Sequence, residues 1–122
     1  MHEVKVDKEK NRLYITIGKL DESEEIETLV NEIELACAEL TSGFCCLTDL
    51  RKDEVRSEEE EHYIYKAQKI MVKAGLSHVV RVVKRFGYLA HYQFDKTAIA
   101  AGYHAKNVLT IEEAEAMLDE IC

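Results

Sequence analysis

The chain has 122 residues, of which 47% are hydrophobic and 33% charged, and its formal net charge is −8. This length and apolar share suit a single domain, residues 1–122, and no apolar run reaches the roughly 18 residues of a transmembrane helix. The excess of acidic groups and the lack of arginine-rich or aromatic-interleaved motifs argue against nucleic-acid binding. Because no such apolar run occurs, we expect a soluble, cytoplasmic protein.

The charges are divided unevenly along the chain. Residues 1–61 carry 8 basic and 18 acidic groups, residues 62–106 carry 8 and 1, and residues 107–122 carry 0 and 5. Such blocks place opposite potentials on different faces and favour self-association or a charged partner. Ordinary solvated helix faces would explain the same pattern.

The first elements are a hairpin and a long helix. Apolar and polar residues alternate over 4–6 and 13–17, on either side of the polar turn at 7–11, which predicts two antiparallel strands. From Asp21 the apolar spacing becomes helical, and Gly43 ends the segment. We predict an amphipathic helix with an acidic outer face.

A buried strand and a capped helix come next. Residues 44–48 (FCCLT) are almost entirely apolar, as expected of a parallel strand covered on both faces. Ser57 and Glu60 match a capping box, in which each side chain binds the other residue's backbone amide. The helix that follows ends at Gly75.

The same alternation continues to the C-terminus. The remaining predicted elements are a strand at 78–83, a helix at 89–102, a strand at 106–109 and a helix after the second capping box, Thr110 with Glu113. The order β-β-α-β-α-β-α-β-α predicts an α/β fold with right-handed crossovers. Its five-stranded sheet is mainly parallel and begins with the antiparallel hairpin.

Two segments resemble a known family: LTDLRKDEVRSEEEE at 47–61 and AGYHAKNVLTIEEAEAML at 101–118. Over nearly its whole length the chain resembles a STAS domain (sulfate transporter and anti-sigma factor antagonist), in particular the SpoIIAA-like bacterial proteins. The resemblance implies a non-enzymatic regulatory domain that acts through protein-protein interaction, as an anti-sigma antagonist does. SpoIIAA-like proteins are also similar in fold to Sec14-type lipid-binding domains, which makes a lipid-binding or anion-binding domain the alternative.

Ser57 has two interpretations. The resemblance places it, after the matching Asp49-Leu50, at or beside the serine that a kinase phosphorylates in anti-sigma antagonists. However, the family's glycine is missing from this turn, and Glu58–Glu61 would repel a phosphate although the helix N-terminus attracts one. We therefore favour a structural N-cap over a phosphorylation or partner site.

Charged residues gather where the predicted strands end. Asp49, Arg51, Lys84 and Arg85 lie at carboxyl ends, where ligands bind in open α/β sheets. Arg81 lies inside an apolar strand and needs a partner, for which Asp49 is the most plausible residue. We favour a structural ion pair, and a small anion or a partner's acidic surface is the alternative use of this cluster.

Aromatic and apolar residues follow this cluster directly: Phe86, Tyr88, Leu89, Tyr92 and Phe94. Tyr92 and Phe94 cannot share one helix face. Core packing accounts for about half of the set, because a crossover helix must bury one face. The others could form an exposed patch for a second subunit or a lipid. Together with the charge division, this segment predicts a homodimer whose contacts include residues 86–94.

Motifs for cofactors and metals are missing from the sequence. No G-x-G-x-x-G, P-loop or H-E-x-x-H occurs, and the five histidines lack ligand spacing, so we predict no cofactor, no metal site and no catalytic residues. Asp49 at the end of a central strand also suggests a phosphoacceptor receiver domain. That fold needs an acidic pair after its first strand, where this chain has a hairpin.

The four cysteines are predicted to be buried free thiols. Cys37, Cys45, Cys46 and Cys122 show no C-x-x-C spacing. Cys45 and Cys46 are adjacent on a strand, so their side chains point to opposite faces of the sheet.

Overall fold

The computed structural model describes residues 1–20 and 23–122, with the backbone alone at Ser23. The predicted helix start at Asp21 lies outside the described residues. The described elements are β1 (His2–Asp7), β2 (Arg12–Ile17), α1 (Ser23–Cys37), β3 (Cys45–Asp49), α2 (Glu58–Ala74), β4 (His78–Val82), α3 (Leu89–Ala101), β5 (Ala105–Val108) and α4 (Ile111–Ile121). The predicted order of elements is confirmed.

The strands form one sheet in the order β1-β2-β3-β4-β5. β1 and β2 pair antiparallel, and the pairs from β2 to β5 are parallel. The predicted α/β class and mixed sheet are therefore confirmed. Parallel pairing brings the carboxyl ends of β2 to β5 to one edge, where the loops that carry the charged residues begin.

Helices cover both faces of the sheet. α1, α2 and α3 pack side by side on one face, and α4 packs on β3, β4 and β5 from the other. The larger core lies under the three helices and includes Leu13, Leu29, Phe44 and Ile64. The smaller core lies under α4, whose Leu118 is fully buried.

Local signals determine the ends of α2. Glu60 N donates to Ser57 Oγ at 3.2 Å and Ser57 N donates to Glu60 Oε1 at 3.1 Å, so the predicted capping box is present. Gly75 ends the helix at a left-handed φ of 106°. A Cβ at this position would lie 2.4 Å from Ser42 Oγ, so both backbone conformation and space favour glycine.

The cap gives a direct prediction for Ser57. Ser57→Ala should lower the free energy of unfolding by ~1 kcal/mol because it removes the acceptor for Glu60 N. Ser57→Asp should change it little, since aspartate caps equally well. Urea denaturation of the two variants tests this, and stoichiometric phosphate on Ser57 in native protein would contradict a purely structural role.

Among the described residues, no helix is both long enough and apolar enough to cross a bilayer.

Candidate functional site at the carboxyl ends of the strands

The predicted Asp49–Arg81 ion pair is wrong. The β3–β4 register places Arg81 opposite Thr48, and side chains alternate along a strand, so Arg81 and Asp49 point to opposite faces of the sheet. Asp49 instead accepts hydrogen bonds from Arg51 Nε at 3.0 Å and Arg51 Nη2 at 2.8 Å. Burial by itself would raise the pKa of Asp49, but the bonds from Arg51 outweigh it and lower the pKa.

Arg81 has its partners on α3 and in the loop that follows it. Its side chain is 1% exposed, and its guanidinium forms an ion pair with Asp95 through Nη1. Nη2 donates to Phe94 O at 3.3 Å and to the hydroxyl of Tyr103 at 3.4 Å. The guanidinium carbon also lies 5.7 Å from the ring centre of Phe94 and 5.9 Å from that of Tyr103. Arg81 therefore joins β4 to the helix that covers it.

A buried ion pair in the loop before α2 was not singled out in the sequence. Asp53 Oδ1 accepts from Arg56 Nη2 at 2.5 Å and from Arg56 Nε at 3.1 Å, and both side chains are almost fully buried. Arg56 Nη2 also donates to Gly18 O. The backbone N–H of Arg56 donates to Gln93 Oε1, and the backbone carbonyl of Arg56 accepts from Gln93 Nε2. This cluster joins the loop to the residue after β2 and to α3.

The carboxyl group of Asp53 is only half paired. Its Oδ2 is buried without a hydrogen-bond partner among the described residues. Burial raises the pKa of Asp53 to about 6, although Arg56 opposes the shift. Two charged residues three positions apart in a loop normally indicate a solvated turn, so no sequence signal marked this pair as buried.

The aromatic segment divides between core and surface. Phe94 is 5% exposed, whereas Phe86, Leu89 and Tyr92 are 64%, 56% and 61% exposed. The predicted separation of Tyr92 from Phe94 is confirmed. Tyr88 is intermediate in exposure.

Two exposed cations adjoin the exposed apolar residues. Lys84 and Arg85 lie in the loop before α3, and the Arg85 guanidinium stacks 5.0 Å from the ring centre of Tyr88. We name the exposed set of Lys84, Arg85, Phe86, Leu89 and Tyr92 the α3 surface. It combines positive charge with large apolar side chains.

His91 supports this surface from below. It is buried in the first turn of α3, and its Nε2 accepts from the backbone amide of Lys84 at 3.2 Å. The ring of Tyr88 packs edge-on at 4.9 Å. Burial lowers the pKa of His91, which favours the neutral ring that can accept this hydrogen bond. The sequence had not distinguished His91 from the other histidines.

A small cavity lies between the sheet and α1, α2 and α3. Its volume is about 20 Å³, enough for roughly one water molecule. Its lining is mostly apolar and includes Arg81, Tyr103, Thr48 and Gln68. Gln68 Oε1 is buried there without a hydrogen-bond partner among the described residues.

The expectation of four free thiols is corrected in part. Cys45 and Cys122 form a disulfide across 77 residues of sequence, because α4 brings the end of the chain back to the start of β3. Cys37 and Cys46 are free and buried. Burial raises their pKa values to about 11 and about 12, so both remain protonated and unreactive at neutral pH.

The comparisons with known proteins add no family to these observations: no protein-family model matches the chain, and no curated protein is significantly similar to it.

Proposed function

We propose that this chain is a non-enzymatic, STAS-like regulatory domain that binds an acidic surface of a protein partner. The observation that carries the proposal is the α3 surface, where three large apolar side chains are more than half exposed beside two cations. The chain also has the order of elements expected from its resemblance to SpoIIAA-like proteins, and this order supports the same class of protein.

The physical case rests on what exposed aromatic groups contribute to binding. Exposed apolar side chains that adjoin one another mark interaction sites more often than isolated ones. Aromatic and arginine side chains supply most of the binding energy at interfaces, and charges set the orientation and speed of encounter. Arg85 and Phe86 supply these residue types in the loop before α3, and Tyr92 supplies another in the first turn of that helix. The stacked Arg85–Tyr88 pair and buried His91 hold the loop in position, which reduces the entropy lost on binding.

Photo-crosslinking in the protein's own cells tests this proposal. A photoreactive amino acid at Tyr92 should capture one specific protein, and the same label at exposed Lys69 on α2 serves as the control. Adding Arg85→Glu to the Tyr92-labelled chain should abolish the crosslink, because it reverses a charge that faces the partner. Equal capture from both positions would contradict the proposal.

The same experiment separates a partner from a second copy. The predicted homodimer through residues 86–94 would give crosslinks between two copies of this chain. Heterologous crosslinks alone would assign the α3 surface to another protein.

A lipid or small-anion ligand is the second candidate. The observation that favours it is the apolar cavity lined by a buried arginine, a tyrosine and an amide oxygen that has no hydrogen-bond partner in the described part of the chain. Its volume of about 20 Å³ is far below the roughly 300 Å³ of the smallest usual ligand pockets, so α2 or α3 must move to admit an acyl chain. Native mass spectrometry should then show a co-purified ligand that Arg81→Met removes. Bare protein in both cases would exclude this candidate.

A further inference from the structure

Three groups that commonly bind zinc converge at the amino-terminal edge of the sheet. The β3–β4 register sets Cys45 directly opposite His78, so both side chains lie on the face that α4 covers. α4 starts after β5 and runs back to this edge, where it delivers Cys122. One ligand atom from each of these three residues lies within 4.8 Å of the others.

The distances suit tetrahedral coordination once the disulfide is open. Zinc binds sulfur at about 2.3 Å and imidazole nitrogen at about 2.0 Å, which separates neighbouring tetrahedral ligands by about 3.5 to 3.8 Å. Cys45 Sγ lies 3.9 Å from His78 Nδ1. Reduction lets the two sulfur atoms move to van der Waals contact, about the separation that two thiolates have around one zinc ion.

The surroundings also suit a bound metal. Ser77 Oγ lies 3.2 Å from Cys45 Sγ and 3.1 Å from His78 Nδ1, so its hydroxyl can donate to a metal-bound thiolate. Cys45 is buried, whereas His78 and Cys122 are exposed and leave the ion a path of entry. Two thiolates and one imidazole are soft and borderline ligands, which favour zinc over magnesium or calcium.

We propose that Cys45, His78 and Cys122 bind one zinc ion when the Cys45–Cys122 disulfide is reduced, with a fourth position open to water. Binding of Zn²⁺ displaces the two thiol protons. Oxidation by a small-molecule disulfide reverses it: the protein disulfide re-forms, two small thiols take up two protons, and Zn²⁺ leaves. The end of α4 thus stays attached to β3 in both states, through sulfur in one and through metal in the other.

Cobalt titration tests the site directly. The protein is reduced with a phosphine, stripped of metal with a chelator and titrated with Co²⁺, which reports tetrahedral thiolate ligation in its visible and near-ultraviolet absorption. We expect one Co²⁺ per chain, displaced by one Zn²⁺, and no such absorption from the oxidised protein.

Matched variants decide which residues bind. His78→Ala and Cys122→Ser should each weaken zinc binding at least about tenfold, as measured by competition with a chromogenic chelator. His104→Ala, at another exposed histidine, and Cys37→Ala, at a cysteine outside the cluster, should leave the affinity unchanged. Circular dichroism confirms that each variant is folded. Absence of tetrahedral absorption in the reduced protein, or an affinity that survives both site substitutions, would overturn the proposal and leave this corner a disulfide only.

Discussion

Replacing Asp95 by alanine should lower the free energy of unfolding by about 3 kcal/mol, because it leaves the charge of Arg81 in the core without its carboxylate. The Arg81 side chain is 1% exposed, and the other acceptors of its guanidinium are the neutral Phe94 O and the Tyr103 hydroxyl. Neither can balance a full positive charge. The cost lies at the lower end of the range for buried pairs, since Asp95 itself is 36% exposed.

The opposite substitution should cost far less. In Arg81→Met the remaining partner, Asp95, can turn towards water, and methionine fills most of the space left by arginine. We expect this variant to lose less than about half of what Asp95→Ala loses. Guanidinium denaturation of both variants measures the difference. Lys96→Ala on the same helix removes a side chain that is 54% exposed and pairs with Glu61, so it should move the midpoint much less than Asp95→Ala. Equal losses of unfolding free energy from Asp95→Ala and Arg81→Met would show that the unpaired charge of Arg81 is not the cause of the cost.

The second large effect is a rise in stability on mild acidification, caused by Asp53. Its pKa is about 6 in the folded protein and close to 3.9 in the unfolded chain, so the folded state binds more protons between these values. Stability from this group is therefore present at low pH and is lost as the pH rises through about 6. Between pH 7 and pH 5 the gain should be about 1 kcal/mol.

Denaturation of the wild type and of Asp53→Asn at pH 7 and pH 5 isolates this contribution. Asparagine cannot titrate, so the part of the pH dependence that belongs to Asp53 should vanish in the variant, whatever its overall stability. Two kinds of group act in the opposite direction. His91, whose pKa burial lowers, loses stability over the same range as the pH falls, and it does so equally in both proteins. Carboxylates with a lowered pKa, such as Asp49, do so only as the pH falls below about 4. An identical rise between pH 7 and pH 5 in both proteins would assign it to other groups.

The choice of partners inside the candidate site depended on tertiary structure. The apolar surroundings of Arg81 in the sequence correctly implied a buried charge that needs a counterion. They did not identify Asp95, because the choice between it and Asp49 depends on which face of β4 the side chain occupies and on how α3 lies over it. A single residue of register reverses that face.

The Asp53–Arg56 pair and the Cys45–Cys122 disulfide likewise could not be predicted from the sequence. Asp53 and Arg56 are buried here because their loop packs against Gly18 and α3, and two cysteines 77 residues apart meet because α4 returns along the sheet. Neither event leaves a trace in local spacing. Both depend on how complete elements pack.

By itself, the sequence determined the elements, their order and the mixed sheet, because alternation, helical spacing and capping residues act within a few positions of one another. It also determined that Tyr92 and Phe94 lie on different faces of one helix, since that follows from the helical repeat. Only the tertiary structure decided which charges pair, which charged side chains of the loop before α2 are buried and which cysteines meet. The disulfide and the Arg81–Asp95 pair join different elements, and the local Asp53–Arg56 pair is buried only by elements distant along the chain. The free energies of these contacts depend on burial, which packing alone creates.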